Sequence, residues 1–331
     1  MSHHTNGKQN QRIGNIANLS SDGASVQAWS HWVQSPRKLG THRELRGGTT
    51  VMTEPTVRRR RLGLELRRLR EAAKLTLEEV ESRSGLSASK VSRIESATRG
   101  ARPVDVELLI DLYGAAGTEV GSFLLTLAND GRRRGWWQSY ELSSVYADLI
   151  SLESDASSVS TFQPLFIPGL LQTAAYARAV IGAVSMTATT EEISPLVEVR
   201  MARQSVLSRP KPLKLRAIVH EAALMARTPD PSIMRDQLQR LLDIAVYPHV
   251  RIQVLPLHAE LNPGMAGGFT LLGFGQPGLD VVLLEHLDSS LYVEDTPDVE
   301  RYAEAFERLT ASALSFDQSL SLIASKKEAS T

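Results

Sequence analysis

The chain has 331 residues, no cysteine, and 37 basic against 37 acidic side chains, so its formal net charge is zero. This length favours two domains, and the absence of cysteine excludes disulfides and thiolate metal sites. No apolar run approaches the ~20 residues of a membrane span, and the first residues lack the apolar core of a signal peptide. We therefore expect a cytoplasmic protein that makes no membrane contact.

The neutral total hides a charge asymmetry along the chain. Residues 58–103 carry a net charge of +7, whereas residues 104–331 carry −10 and residues 1–57 carry +3. A basic segment beside an acidic remainder is typical of a nucleic-acid-binding module. Residues 1–57 lack a sustained apolar period and are predicted to form a disordered tail, with Met52 as an alternative native start.

Five short helices are predicted in and just after the basic segment. The second begins at a capping box, Thr76 to Glu79, and it ends before Gly85, which supplies a turn. The third begins at Ser87 and turns Val91 and Ile94 inward. The five helices are expected at 58–73, 76–84, 87–96, 103–113 and 118–130.

The rest of the chain alternates predicted helices and strands after a connector. Residues 131–140 crowd arginine, glycine and aromatic side chains, and Trp136, Trp137 and Tyr140 either pack ordinarily or form a hinge between domains. Helices are expected after Pro164, from Ser194-Pro195 to Leu207, at 231–247 and over most of 297–323. Strands are expected at 213–219, 250–255, 269–274, 281–285 and 291–294.

The predicted fold class is an all-α five-helix domain followed by a mixed α/β (α+β) domain with a small sheet. We find no internal repeat. The expected organisation is a disordered tail at 1–57, a helical DNA-binding domain at 58–128, a basic and aromatic connector at 129–150, an α/β effector or partner-binding domain at 151–325 and a disordered tail at 326–331.

The third helix has the kind of surface that a DNA major groove admits. Its outward side chains are small or cationic, so the helix can approach base edges closely, and an arginine suits guanine. A structural bundle whose basic face is merely solvated is the alternative. The expected base-reading residues are Ser87, Ala88, Ser89, Lys90, Ser92 and Arg93. The expected phosphate contacts are Arg58, Arg59, Arg60, Arg61, Thr76, Arg99 and Arg102.

The second domain offers no convergent catalytic set. The pattern from Gly273 to Gly278 fits G-x-G-x-x-G, but it precedes a predicted strand and so indicates a hairpin loop rather than a dinucleotide site. In the pairs His220-Glu221 and Glu285-His286 the neighbouring side chains point in different directions, so neither pair makes a local metal site. We therefore expect no enzyme activity, no cofactor and no metal.

Polar residues of the second domain are candidates for a binding pocket. Three of them share one predicted helical face at i, i+3 and i+4 spacing. A solvated face with salt bridges is the alternative. The expected pocket for an effector or partner consists of Glu153, Gln172, Tyr176, Arg200, Arg203 and Gln204.

Residues 62–113 resemble an XRE-type helix–turn–helix regulator. The resemblance rests on Leu-Thr-(x)-Glu-Glu-Val followed by Gly-Leu-Ser-(x)-Ser-Lys-Val-Ser-Arg-Ile-Glu. It implies that Ala88, Ser89 and Arg93 read bases. It also implies a buried ion pair between Arg70 and Glu95, which joins the first helix to the third.

The chain departs from that family at two positions. Glu81 stands where alanine is usual, at the close crossing of the second and third helices, and Ser84 stands where an apolar residue is usual. Tight packing of the second helix is therefore in question, and Glu81 is expected to turn outward.

Residues from about 130 onward resemble a second domain that follows this module in many actinobacterial regulators. Shared phrases include Arg-Arg-Arg-Gly-Trp-Trp-Gln-Ser-Tyr and Phe-Ile-Pro-Gly-Leu-Leu-Gln-Thr-(x)-(x)-Tyr-Ala-Arg-Ala. The resemblance implies a transcription regulator encoded beside a small partner protein and sometimes described as antitoxin-like. It does not define the biochemical role of the second domain.

Together these observations predict a sequence-specific transcription regulator that binds double-stranded DNA as a homodimer. Its second domain is expected to sense a small partner protein or a ligand. The alternative is an antitoxin-like interaction module whose main role is to bind a small partner protein. A DNA-tethered enzyme is a third hypothesis, and it lacks a set of acid, base or metal groups.

Overall fold

A computed structural model describes residues 55–130, 136–140, 142–186, 188–275, 278–287 and 289–330. The tail expected at 1–57 lies outside the described residues up to position 54, and so does Met52. Val57 is buried and opens the first helix, so helical structure begins one residue before the expected boundary at 58.

The N-terminal part of the described chain is a cluster of five helices. Leu66, Val80, Val91, Leu109 and Leu124 meet in its core, and each is fully buried. The helices are α1 (Val57–Ala72), α2 (Leu77–Ser84), α3 (Ala88–Glu95), α4 (Pro103–Leu112) and α5 (Glu119–Asp130).

Local signals set the ends of α2 and α3. The Thr76 hydroxyl accepts a hydrogen bond from the Glu79 amide, and the Glu79 carboxylate accepts one from the Thr76 amide, which completes the capping box. Gly85 ends α2 at φ 73°, a left-handed conformation that favours glycine. Ser87 then caps α3 by accepting a hydrogen bond from the Lys90 amide.

The C-terminal part is a mixed α/β domain built on a six-stranded sheet. Strand order is β3-β2-β1-β4-β5-β6; the first three strands are parallel, and the pairs β1–β4, β4–β5 and β5–β6 are antiparallel. The elements are α6 (Ser144–Asp155), β1 (Ser158–Gln163), α7 (Ala174–Ser185), α8 (Thr190–Arg203), β2 (Lys214–His220), α9 (Pro231–Ile244), β3 (Val250–Leu255), β4 (Phe269–Gly273), β5 (Val281–Glu285), β6 (Ser290–Val293), α10 (Thr296–Ser312) and α11 (Phe316–Ala329).

Each face of the sheet is covered by helices, so the strands bury side chains on both sides. Phe306 of α10 packs with Phe162 and Ile218 on one face. Leu241 of α9 and Ile323 of α11 belong to the larger cluster on the other face. The predicted fold class, five helices followed by a mixed α/β domain, is thus confirmed.

Several predicted boundaries differ from the structure. The sequence does not predict strand β1, because only Val159 and Phe162 of its sequence Ser-Val-Ser-Thr-Phe-Gln are apolar. Helix α8 was expected to begin at Ser194-Pro195, but it begins after Thr189, because Thr189 and Glu192 form a capping box there. Pro195 therefore lies inside the helix. Positions 326–329, expected in a disordered tail, continue α11, where the Lys327 ammonium donates to the Gln239 side chain.

Candidate nucleic-acid interface

Helix α3 presents one side to the core and the other to solvent. Val91 and Ile94 are at most 2% exposed and anchor the helix. Its outward side consists of exposed Ser87, Ser89, Ser92 and Arg93 with half-buried Ala88 and Lys90. In the described part of the chain, the protein's own polypeptide therefore leaves this side accessible, as entry into a major groove requires.

Helix α1 holds α3 at very short range. A Cβ added to Gly63 would lie 2.5 Å from the Glu95 carbonyl oxygen and 2.6 Å from that of Ile94, so only glycine allows this approach. Two turns further along α1, Arg70 and Glu95 form a two-bond ion pair at 2.8 and 2.9 Å, with side chains 12% and 5% exposed. This geometry fixes the orientation of α3 relative to α1.

Asp105 at the start of α4 ties down two of the expected DNA-contacting cations. It lies 2.9 Å from the Lys90 ammonium and accepts two hydrogen bonds from Arg102, each 2.9 Å long. The hydrogen bonds from Arg102, ahead of the contribution of Lys90, hold the pKa of Asp105 at about 2, below its ordinary 3.8. Lys90 and Arg102 therefore lie beside the outward side of α3, but both of their positive charges are already paired with the carboxylate of Asp105.

We expect Asp105→Asn to strengthen binding to random DNA, because Lys90 and Arg102 lose their competing anion. The same change should lower the free energy of unfolding by about 1–2 kcal/mol. The stabilisation by Asp105 is complete above its unfolded pKa of 3.8 and is lost as the pH falls through about 2. Denaturant unfolding at neutral pH and near pH 2 checks this; a stability difference that persists at the lower pH would contradict it.

Arg93 and Arg99 extend the exposed cationic surface. The Arg93 Nε donates to the Ser89 carbonyl 3.1 Å away, which directs the guanidinium along the outward side of α3. Arg99 is exposed just beyond the helix, and its amide donates to the Arg93 carbonyl. Both positions agree with contact to a groove and its phosphates.

Glu81 turns outward from α2, as expected, and takes a capping role. Its Oε2 accepts a hydrogen bond of 2.9 Å from the Ala88 amide at the start of α3. The Ser84 hydroxyl donates a hydrogen bond of 2.6 Å to the Val80 carbonyl one turn earlier, so this polar side chain has a hydrogen-bond partner within its own helix. The two polar departures are thus accommodated, and the tight crossing lies between α1 and α3 instead.

Three of the four arginines at 58–61, which were expected to contact phosphates, have their partners in the C-terminal domain, and the fourth, Arg59, bonds beside the end of α3. Arg58 pairs with Asp155 at 2.5 Å, and Arg60 pairs with Glu294 at 2.8 Å. Arg61 is 4% exposed and lies 4.5 Å from the centre of the Phe274 ring. Arg59 donates to the Ala97 carbonyl. Carboxylates of the second domain attract the guanidinium groups of Arg58, Arg60 and Arg61.

Burial leaves Arg61 with few polar contacts. Its two terminal nitrogens find no hydrogen-bond partner among the described residues. Burial lowers the pKa of Arg61 to about 10, and the nearby carboxylates of Glu294 and Asp280 oppose that shift. Arg61 therefore stays charged at neutral pH, and it contributes to the contact between the two parts of the chain.

The residues of the pocket expected in the second domain form a polar network. Arg203 donates to Glu153 at 2.8 and 2.6 Å and to the Tyr146 hydroxyl at 3.0 Å. The side chains of Gln172 and Tyr176 are 1% and 2% exposed and bond to the Ile167 backbone.

The other two members of the expected pocket complete this network. The Arg200 Nη1 donates to the Gln172 side chain, and the Gln204 side chain donates to the Gln172 carbonyl. The structure thus brings the expected residues together and joins them by hydrogen bonds.

The remaining sequence candidates take structural positions. The Tyr140 hydroxyl donates to Glu198, and Trp136 packs edge-on against Trp137. Glu221 pairs with Lys326, and His220 caps a short turn. The described residues contain no cluster of three potential metal ligands, and none of their helices is long and apolar enough to span a bilayer.

The capped turn, the anchored α3 and its accessible polar side define a helix–turn–helix DNA-binding protein. The family described as "Helix-turn-helix domain" matches residues 61–123, and the family described as "Domain of unknown function (DUF5753)" matches residues 146–325. Because the second match covers more than half of the chain, the protein belongs to the DUF5753 family. No curated protein and no solved structure matches it.

Proposed function

We propose that this protein is a sequence-specific transcription regulator of the XRE type that inserts α3 into the major groove of double-stranded DNA. The observation that carries the proposal is the accessible small and cationic side of α3, held rigidly by Gly63 and by the pair Arg70–Glu95. Selection of bound sequences from a random DNA library tests it, and recovery of no enriched motif would defeat it.

A homodimer suits this function because two copies of α3 would meet half-sites about 34 Å apart. The second domain or the connector would join the copies. Sedimentation of the protein with and without its selected DNA measures the oligomeric state directly. A selected motif with two-fold symmetry and a dimer on DNA is the expected result, whereas one protein on an asymmetric motif would contradict it.

Arg93→Ala should weaken binding to the selected sequence by about 1–3 kcal/mol and relax the preference at one base position. The reason is that Arg93 lies on the outward side of α3 with its guanidinium exposed. Binding constants for the selected and for random DNA check the change. Equal losses on both kinds of DNA would assign Arg93 to phosphates instead.

Arg99→Ala should weaken binding to all sequences alike and reduce the slope of log K against log salt by about 1. Arg99 lies beyond the end of α3, where the sugar–phosphate backbone would pass. Titrations at several salt concentrations give the slope. Arg301→Ala, in an exposed part of α10, is the matched control and should leave the slope unchanged.

A second candidate function is the capture of a small partner protein in an antitoxin-like role. The parallel strands β1, β2 and β3 end at the same edge, and the loops that follow each of them expose large apolar side chains, a mark of protein interaction sites. These are Leu165, Met225, Leu257, Leu261 and Met265. Co-purification with the product of a neighbouring gene, lost when Leu257 and Leu261 become serine, would support this role; retention by that variant would contradict it.

A further inference from the structure

A cleft of about 350 Å³ opens between α6 and the hairpin formed by β5 and β6. Tyr146 of α6 and Tyr292 of β6 contribute aromatic walls, and Leu149 and Leu283 contribute apolar ones. Glu285 and the turn that follows it complete the rim. The cleft borders the polar network around Arg203: the two share Tyr146, and Arg203 and Arg200 lie near enough to act on Glu285.

Three carboxylates lie near the tyrosines of this cleft. Burial raises the pKa of the Tyr292 hydroxyl, and the carboxylates of Asp148, Glu285 and Glu153 raise it further, whereas Arg203 opposes them. Glu153 already neutralises Arg203 through two hydrogen bonds. Glu285 is exposed at the rim, where desolvation raises its pKa and the guanidinium groups of Arg203 and Arg200 oppose that shift, and it supplies the carboxylate that faces a ligand.

We propose that this cleft binds a small organic cation, an amine or quaternary ammonium with an apolar body, between the two tyrosines and Glu285. The cation would be attracted both by the faces of the aromatic rings and by the carboxylate. The apolar body of the ligand would pack against Leu149 and Leu283. The inference deepens the proposed function, on which it rests, by naming a ligand class for the second domain.

The two walls of the cleft also hold the DNA-binding part of the chain. On the α6 side, Asp148 accepts a hydrogen bond from the Val57 amide at 3.3 Å, and Asp155 pairs with Arg58. On the β6 side, Glu294 follows the strand and pairs with Arg60. A ligand that changes the spacing of α6 and β6 therefore moves the two anchors of α1 relative to each other.

The link from α1 to the DNA side is equally direct. Helix α1 contacts α3 at Gly63 and through the pair Arg70–Glu95. The Tyr292 hydroxyl donates to the Val145 carbonyl at 2.8 Å and closes one end of the cleft. Ligand binding in the cleft is thus coupled to the position of α3, and the affinity for DNA is expected to change when the cation binds.

Calorimetric titration of the full chain with phenethylamine tests the site, with phenylacetate and 2-phenylethanol as anionic and neutral probes of similar shape. We expect saturable binding of the amine and binding about fivefold weaker in Glu285→Gln. Glu300→Gln removes the same charge from exposed α10 and should bind like the unaltered chain. Ser289→Trp should abolish binding by filling the cleft.

Three results would overturn the inference. They are no binding of the amine, equal binding of 2-phenylethanol, or preferential binding of phenylacetate, which would make the guanidinium groups of Arg200 and Arg203 decisive.

The titration uses no DNA, so its failure leaves the proposed function intact. Conversely, failure to select a DNA motif leaves the amine result standing. Titration of the selected DNA with and without amine then measures the coupling, and an unchanged DNA affinity would refute the coupling.

Discussion

Arg203→Met should lower the free energy of unfolding by about 3–5 kcal/mol. The substitution leaves the Glu153 carboxylate in a site where its side chain is 4% exposed and where Arg203 is its two-bond partner. Burial alone would lower the pKa of Arg203, but Glu153 and Tyr146 outweigh it and raise that pKa above its ordinary value. The guanidinium is therefore charged, and its removal leaves the buried Glu153 carboxylate without its ion-pair partner.

Urea unfolding of the full chain measures this loss, and the double variant Glu153→Leu, Arg203→Met separates its causes. With both charges gone, most of the stability should return, because an apolar pair needs no solvation. Arg308→Met breaks an exposed pair with Glu304, whose side chains are 68% and 62% exposed, and should cost less than about 1 kcal/mol. A double variant no more stable than Arg203→Met would contradict the argument.

The helix–turn–helix was predictable because its signals are local. The capping box at Thr76 and the left-handed glycine at Gly85 act within a few residues, so the sequence alone specifies them. The ends of α2 and α3 agree with the expectation within one residue. Contacts between segments that are distant in the sequence have no such local signal, so the sequence alone does not predict them.

The arginine tract illustrates that limit. Its charge predicted attraction to an anion, but charge does not distinguish a phosphate from a carboxylate of the same chain. The partners Asp155 and Glu294 lie roughly 100 and 230 residues further along, so only the folded arrangement identifies them. The basic segment therefore indicated a DNA-binding domain, whereas the partners of Arg58 and Arg60 in the C-terminal domain could be identified only in the folded chain.

The residues of the expected pocket show the same limit. Periodicity placed Arg200, Arg203 and Gln204 on one side of a helix, and the structure brings them to Gln172 and Glu153. Whether such a group encloses space or closes on itself depends on how the sheet and its helices pack. Strand β1, absent from the sequence prediction, contributes to that packing at the centre of the sheet.

Gly63→Ala should destabilise the protein by about 3 kcal/mol and weaken binding to DNA. The added methyl would meet backbone atoms, the carbonyl oxygens of Ile94 and Glu95 at 2.6 and 2.5 Å, so no side-chain rotation relieves the overlap. Helices α1 and α3 must separate, which lengthens the Arg70–Glu95 bonds and rotates the outward side of α3.

The matched control is Gly182→Ala, in the middle of α7, where the new methyl would make an ordinary contact of 3.5 Å with the Ile193 side chain. Alanine is the better helix former, so this variant should gain about 0.5–1 kcal/mol. Opposite signs for one substitution in two helices would show that the α1–α3 approach, rather than helix propensity, requires glycine at 63. Equal gains at both positions would mean that the helices yield freely, and the rigid placement of α3 would lose its support.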